Sequence, residues 1–435
     1  MEKNQNISNR NFKKQMFDLL TSNIVDKLLN SINVYILIAW IGLSGFGTWS
    51  VLMSVLLIFD SVFSMGVSTY SLEYLIQTKS RNKFKKLIYI SCILLIIKFL
   101  FLIFFSLVKD YKFLDPIGGN LTLINLGLFL CFQEVAKILQ SICQINNITQ
   151  KILYSRLIQS VIRTSFLLVF FYKKLPSIFA PFPYILSVLC CCIFLLIFSQ
   201  KNSFKFNFNS LKNMIIYYRL NHFYRDFIPF IKNSFPFAIS AMTILLYLKS
   251  DILCLQYFSI EESKIGNYSF ASSLASSVYF IPFNAYRVLL SSFNGTNLKS
   301  VLSKYKKRIF FVCFLILILQ QFTYFGINAY LPKSYPEIIF NTVNLLTILS
   351  FGLFGICLNE YSALSFALIN KNWLINLRSL LTFSANISLN LLLIPIFGIF
   401  GAAIGTTLAL ISSGLFMLFL KIYTYKHLRI NNYLR

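Results

Sequence analysis

The sequence predicts an all-α integral membrane protein of about twelve transmembrane helices in two pseudo-symmetric six-helix bundles. Three observations carry that prediction. Of 435 residues, 57% are hydrophobic and only 12% are charged, whereas a soluble domain carries about 25% charged residues. Apolar runs repeatedly reach the roughly 20 residues that a helix needs to cross a bilayer. Lys and Arg collect in alternate gaps between those runs. A soluble chain of this composition would expose large apolar patches. The net charge of +26 would point to nucleic acid in a soluble protein. Here the basic residues fall in short inter-span gaps, so they mark topology, and no nucleic-acid partner is expected.

The candidate spans cover about 23–43, 47–69, 87–108, 120–143, 155–172, 178–199, 233–257, 267–290, 308–330, 338–361, 373–394 and 399–422. Span one follows a polar, amphipathic segment with no cleavable signal peptide in view. Span five is the shortest. Between spans six and seven lies the longest gap, 200–232, basic and rich in Asn and Phe. It is expected as an amphipathic surface segment. It divides the chain into an N-terminal bundle, 1–209, and a C-terminal bundle, 210–435. With the N-terminus in the cytoplasm, the inside gaps and tails hold 26 basic residues and the outside gaps six. Cytoplasmic loops retain Lys and Arg, so both termini are expected inside. Lys173 and Lys174 are the one poor fit to that pattern.

The two halves carry matching marks at one offset, 219 residues. Gly47-Thr48-Trp49-Ser50 opens span two and Gly266-Asn267-Tyr268-Ser269 opens span eight. Pro176 precedes span six and Pro395 precedes span twelve. Six spans per half is even, so both halves enter the membrane in the same direction. Parallel repeats of this kind are a transporter architecture.

Polar groups in hydrocarbon are costly and are functional candidates by default. Span one carries Asn23, Asp26, Lys27, Asn30 and Asn33, mostly on one helical face. Span four carries Gln133, Lys137, Gln140 and Gln144, with Glu134 placed to pair with Lys137 three residues on. Span eleven carries Asn376, Ser379, Asn386 and Asn390; span seven carries Lys249 and Asp251 on different faces. Ser272, Ser273, Ser276 and Ser277 make span eight rich in small hydroxyls. Any single Asn, Gln or Ser serves as interhelical glue at least as readily as a ligand contact. Lys98 stands alone in an apolar run, as a snorkelling or misregistered residue. Arg163, Lys232, Arg287 and Arg378 lie near expected cytoplasmic ends, where long basic side chains snorkel. Short carboxylates lack that escape, so Asp60, Glu134, Asp251 and Glu360 are the candidates for ion coupling or salt bridging. Within the spans or at their edges, eight basic residues (Lys27, Lys98, Lys137, Arg163, Lys232, Lys249, Arg287, Arg378) stand against six acidic ones (Asp26, Asp60, Glu73, Glu134, Asp251, Glu360).

Nine cysteines, an odd number without metal spacing, read as small core residues. The two histidines, His222 and His427, have no partner set for zinc or for nucleophilic catalysis. Neither a Walker sequence nor a dinucleotide fingerprint occurs. No cofactor or metal is expected, and the chain reads as a transporter rather than an enzyme. A membrane polymerase would need a long outside loop, and no outside gap exceeds about a dozen residues.

The stretch Asn386-Ile-Ser-Leu-Asn390-Leu-Leu-Leu-Ile-Pro395-Ile-Phe-Gly398-Ile-Phe-Gly401-Ala-Ala-Ile-Gly405-Thr resembles the span eleven to twelve junction of bacterial polysaccharide flippases. These belong to the superfamily that also holds the multidrug and toxin exporters. Asp251 with Gly266-Asn267-Tyr268-Ser269-Phe270-Ala271, and Gly45 to Ser50 with Gly66, resemble its span seven to eight and span one to two regions. The first half departs at Ala180-Pro181-Phe182-Pro183, where a Gly-rich turn is usual and a kinked helix is expected. The resemblance implies a MATE-like fold in the bacterial inner membrane. It implies flipping of an undecaprenyl-pyrophosphate-linked oligosaccharide for O-antigen, lipopolysaccharide or capsule, beside a polymerase and chain-length machinery. On that reading Lys27, Lys137, Lys249, Arg163 and Arg287 meet the pyrophosphate. Asn30, Gln140 and Asn386 meet sugar hydroxyls, and a proton or sodium gradient drives the cycle. A multidrug exporter, and a flippase for another envelope precursor, are the alternatives of the same fold.

Overall fold

In hydrocarbon every backbone amide must be paired within the protein, which leaves helices and closed barrels as spanning structures. The computed structural model takes the helical solution. It describes residues 2–67, 70, 81–108, 119–145, 149–199, 220–291, 311, 314–315, 317–322, 336–368 and 371–427, and every regular element among them is helical. In chain order these are α1 (Glu2–Phe63), α2 (Arg81–Val108), α3 (Gly119–Ile145), α4 (Thr149–Tyr172), α5 (Phe182–Ser199), α6 (Leu220–Tyr257), α7 (Glu262–Ser291), α8 (Pro336–Leu368), α9 (Asn372–Phe397) and α10 (Ile399–His427). Among the described residues, seven helices are long and apolar enough to cross a membrane. Span nine is described only at 311, 314–315 and 317–322, which are helical.

Spans one and two share α1, bent at Gly42 (φ 77°, ψ 170°). Only glycine adopts that conformation freely, so the connection shrinks to one residue. Expected structure differs in two further places. Residues 220–232, expected as part of an amphipathic segment separate from span seven, are the first part of α6. The remainder of that gap, 201–219, lies outside the described residues. Ala180 to Pro183 is not a kink inside a helix. A short 3-10 turn, Ser177–Phe179, precedes it, and the Pro181 carbonyl accepts from Tyr184 N and Ile185 N at 3.1 Å. Proline suits a first helical turn, where its missing N–H has no partner to lose, so this motif starts α5.

Helix stops are equally local. After α4, Lys174 takes φ 49°, Leu175 N bonds Phe170 O at 3.2 Å and Lys174 N bonds Phe171 O at 3.0 Å. Ser259 (φ 52°) closes α6 the same way through Leu255 O and Gln256 O. This pairing satisfies the last carbonyls of each helix. Beyond α6 the exposed Glu261 carboxylate accepts from Ser263 Oγ at 2.5 Å, which holds it below the usual carboxylate range.

The chain forms two compact units, Met1–Leu245 and Leu246–Arg435. In the first, Asp26, Asn30, Asn33 and Trp40 of α1 meet Ser160, Arg163, Thr164 and Phe170 of α4. The partner numbers rise together, so these spans run parallel. Trp40 Nε1 also donates to the Leu175 carbonyl at 2.7 Å, pinning the far end. In the second unit, α7 and α8 run parallel through Asn267–Thr342 and Tyr279–Leu349. Likewise α8 and α10 run parallel through Ile348–Thr407 and Tyr361–Lys421. Between the parallel α8 and α10 the chain crosses once, as α9. Gly355 and Gly414 let α8 and α10 touch: a Cβ on Gly414 would stand 2.7 Å from the Gly355 carbonyl oxygen. Close approach through small residues substitutes for the hydrophobic drive that lipid does not provide. Gly398 (φ 57°) is the sole break between α9 and α10.

Burial on α9 is inverted relative to a soluble helix. Ser379, Thr382, Asn386 and Asn390 are buried, while Leu380, Leu391, Leu392 and Ile396 are exposed. Polar residues inside and apolar residues outside is the pattern that a lipid solvent selects.

Candidate functional site: buried charge and amide clusters

In the first unit, three helices bring four ionisable groups together. Span two carries Asp60 on α1, α2 carries Lys98, and α3 carries Glu134 and Lys137. Lys98 Nζ donates to Asp60 Oδ1, and its side chain is almost wholly buried. Lys137 Nζ lies 3.5 Å from Asp60 Oδ2 and 3.1 Å from Glu134 Oε2. The set has two positive and two negative members, so it is neutral when all are ionised. That neutrality makes its burial tolerable, because an unpaired charge at this depth is very costly. Lys98 is therefore neither snorkelling nor misregistered: its short-range partner on the adjacent span holds it inside. Lys137 differs from the other three in exposure, with 39% of its side chain accessible.

A second group joins α1 to α4. Ser160 Oγ donates to Asp26 Oδ1 at 2.5 Å, Arg163 Nη1 to Asn30 Oδ1 at 2.8 Å, and Thr164 Oγ1 to Asn33 Oδ1 at 2.7 Å. The Arg163 guanidinium also sits 5.0 Å over the Tyr184 ring, a cation–π contact that tolerates burial. Lys27 is half-buried on the same α1 segment, and its carbonyl accepts from Ser31 Oγ at 3.0 Å. Gln140 lies beside Cys191 of α5. Gln133 accepts from Gln159 Nε2 at 3.1 Å, so that member of the span-four stripe is helix-to-helix glue.

The second unit gathers amides and hydroxyls around a buried carboxylate, beside a separate buried ion pair. Asn386, wholly buried, donates from Nδ2 to the Tyr247 carbonyl at 2.9 Å and to Ser250 Oγ at 3.3 Å. Its Oδ1 accepts from Asn390 Nδ2 at 3.0 Å and from Thr406 Oγ1 at 3.4 Å. Tyr268 of α7 donates its hydroxyl to Asp251 Oδ2, and Ile252 N bonds Asp251 Oδ1 at 2.9 Å. Thr406 links the two sets through a 3.4 Å contact with the Tyr268 hydroxyl. Asp251, Tyr268, Asn386, Asn390 and Thr406 thus form one buried oxygen-rich cluster across α6, α7, α9 and α10. Lys249 is half-buried near Asp251. Glu360 pairs with Arg378 at 2.8 Å, with both side chains about nine-tenths buried. Arg378 is thus a buried partner rather than a snorkelling end residue. The Arg287 side chain lies outside the described residues.

Sequence reasoning singled out the four carboxylates and the Glu134–Lys137 pair, but not the partners of Asp60, Asp251 and Glu360. Tyr268 and Thr406 lie inside the quoted junction motifs, yet nothing in a single helix's spacing aims them at Asp251. Lys98 and Arg378 were visible as charges, but their partners sit 38 and 18 residues away. Among the described residues no group of His, Cys, Asp and Glu is arranged to hold a metal ion. Cys143, Cys191, Cys192 and Cys357 are buried, as core residues would be, whereas Cys92 is exposed; Cys313 lies outside the described residues.

The described residues form all-α units with buried charge and amide clusters between helices, and solved structures share this fold. An inward-facing multidrug resistance MATE transporter of the MOP superfamily superposes with a TM-score of 0.74 at 10% identity, covering 96% of this chain and 99% of that one. Lipid II flippase MurJ in an inward closed conformation gives 0.68 at 17% identity, with 92% and 86% covered. A MOP superfamily transporter from Pyrococcus furiosus, described by the reversed polarity of its binding pocket, gives 0.52 at 11% identity, covering 96% and 95%. The family model described as polysaccharide biosynthesis protein matches residues 12–285, more than half of the chain. The chain belongs to that family. No curated protein matches it.

Proposed function

We propose that this protein is a flippase that moves an undecaprenyl-pyrophosphate-linked oligosaccharide across the bacterial inner membrane for surface polysaccharide such as O-antigen or capsule. The observation that carries the reading is the match of residues 12–285 to the polysaccharide biosynthesis family. The chemistry of the first unit supports it. Lys137 and Arg163 are cations held at membrane depth by neighbours that leave donor capacity over, and ammonium and guanidinium groups bind phosphate oxygens strongly. Both termini face the cytoplasm in this reading, where the basic loops belong. A proton or sodium gradient drives the cycle, with Asp60, Glu134, Asp251 and Glu360 as the coupling or gating carboxylates. The partners are the lipid-linked substrate, surrounding lipid, and the polymerase and chain-length machinery that consume the product.

Deleting the gene tests the reading. Surface polysaccharide should disappear and its lipid-linked repeat unit should accumulate on the cytoplasmic face. Normal surface glycan combined with lost dye efflux would overturn it and favour a multidrug exporter, the second reading, which the fold of the MATE transporter supports. Loss of viability with cell-wall precursor accumulation would place the cargo elsewhere in the envelope.

A further inference from the structure

We propose that Glu134 is a proton-binding site, and that Lys137 couples its protonation to the binding of an anionic lipid headgroup in the first unit. The coupling half of this proposal rests on the flippase reading; the proton site does not.

The two carboxylates of the charge cluster are supported unequally. Asp60 has a lysine on each oxygen, Lys98 on Oδ1 and Lys137 on Oδ2. Glu134 has Lys137 on Oε2 alone, while Oε1 is buried and has no hydrogen-bond partner. Ser91 Oγ on α2 is also buried and without a partner. Both residues, about 95% buried, line one cavity together with Lys98, Ser64, Leu94 and Ile138. That cavity has about 10 Å³ of room, the space of about one water. An ionised carboxylate with a bare oxygen in such a place is under-solvated.

Two oxygens and a lysine ammonium on the wall make a poor nest for a metal cation. A proton needs only one lone pair. Glu134 Oε1 accepts it, becomes a neutral acid, and gains an O–H able to donate into the cavity. Every charged neighbour then has a defined role. Asp60 keeps Lys98 as its close partner. Lys137 on α3 loses the countercharge of Glu134 and is the one member with an accessible side chain. Of the other faces packed on α3, α4 presents Gln159, engaged with Gln133, and α5 presents Cys192, which donates to the Phe132 carbonyl at 3.6 Å. Cys131 of α3 lies near Lys98, Asp60 and Glu134. Protonation therefore leaves one net positive charge on Lys137, which an anionic phosphate oxygen neutralises. Proton in and anion in become one balanced step, and deprotonation returns Lys137 to Glu134 and expels the headgroup.

Infrared difference spectra of the full chain in nanodiscs, titrated with pH and without ligand, read the proton directly. A carboxylic C=O band should titrate in the wild type, persist in Asp251→Asn, and vanish in Glu134→Gln. The same band surviving in Glu134→Gln overturns the proton site, whatever the cargo. Undecaprenyl pyrophosphate binding, measured on the same samples, should weaken about tenfold per pH unit above the titration, as one-proton linkage requires. In Glu134→Gln that slope should vanish while binding remains. An unchanged slope in Glu134→Gln overturns the coupling. If undecaprenyl pyrophosphate fails to bind at every pH, the flippase reading and the coupling fall, and the infrared band still decides the proton site.

Discussion

Replacing Lys98 with Met tests whether the charge cluster is an integral part of the fold. The Lys98 side chain is 2% exposed and that of Asp60 7%, so neither group has water to fall back on. Removing one partner of a buried ion pair costs about 3–5 kcal/mol, because the other charge stays behind uncompensated. Lys137 still stands 3.5 Å from Asp60 Oδ2, which offsets part of the loss. Lys98→Met should therefore fall near the lower end, about 3 kcal/mol, roughly a hundredfold in the folded-to-unfolded ratio. Asp60→Ala should cost more, toward about 5 kcal/mol, since it strands the deeper ammonium and leaves a void. The double variant Asp60→Leu/Lys98→Met should recover most of the loss, because apolar replacement of a whole buried pair is often neutral. Reversible unfolding in mixed micelles reads all three. Single variants within about 0.5 kcal/mol of wild type, or strictly additive losses, would refute the buried-pair reasoning.

Four further outcomes follow from the same geometry. Gly414→Val places a Cβ against the Gly355 carbonyl and should destabilise the second unit by about 1–3 kcal/mol or more, seen as a lowered aggregation temperature in fluorescence-detected size exclusion. Gly42→Ala puts a side chain at φ 77°, a strain of about 1–3 kcal/mol, measurable by the same assay. Tyr268→Phe deletes a hydrogen bond to a carboxylate, worth about 1.5–3 kcal/mol; transport should slow at least tenfold with normal insertion, and full-rate transport would remove Tyr268 from the working cluster. Asp251→Asn should likewise insert normally and lose transport, whereas an undiminished rate would show that coupling does not pass through it.

Local signals were readable where one helix decides the matter. Apolar length gave the spans, and Glu134 with Lys137 three residues on gave an ion pair that the fold realises. The polar face of α9 at Asn386 and Asn390 was visible as spacing and is buried as that spacing implies. Ala180 to Pro183 misled because proline reads as a breaker, yet at a first turn it initiates. Residues 220–232 were legible as part of an amphipathic segment, but not as a continuation of α6, which runs Leu220–Tyr257.

Composition and periodicity by themselves determined that this protein spans a membrane as helices, since hydrocarbon leaves the backbone no other economical pairing. They also marked which polar residues stand at membrane depth. Only the tertiary structure decided what each of those residues meets. Lys98 changed from an isolated charge to the partner of Asp60, Arg378 to the partner of Glu360, and Tyr268 to the hydroxyl on Asp251. Those pairings join different helices, and helix packing rather than sequence spacing sets the angle and depth at which two spans present their side chains. The physical consequence is largest where dielectric is lowest: the same lysine is an intolerable charge alone and a stable one beside its carboxylate.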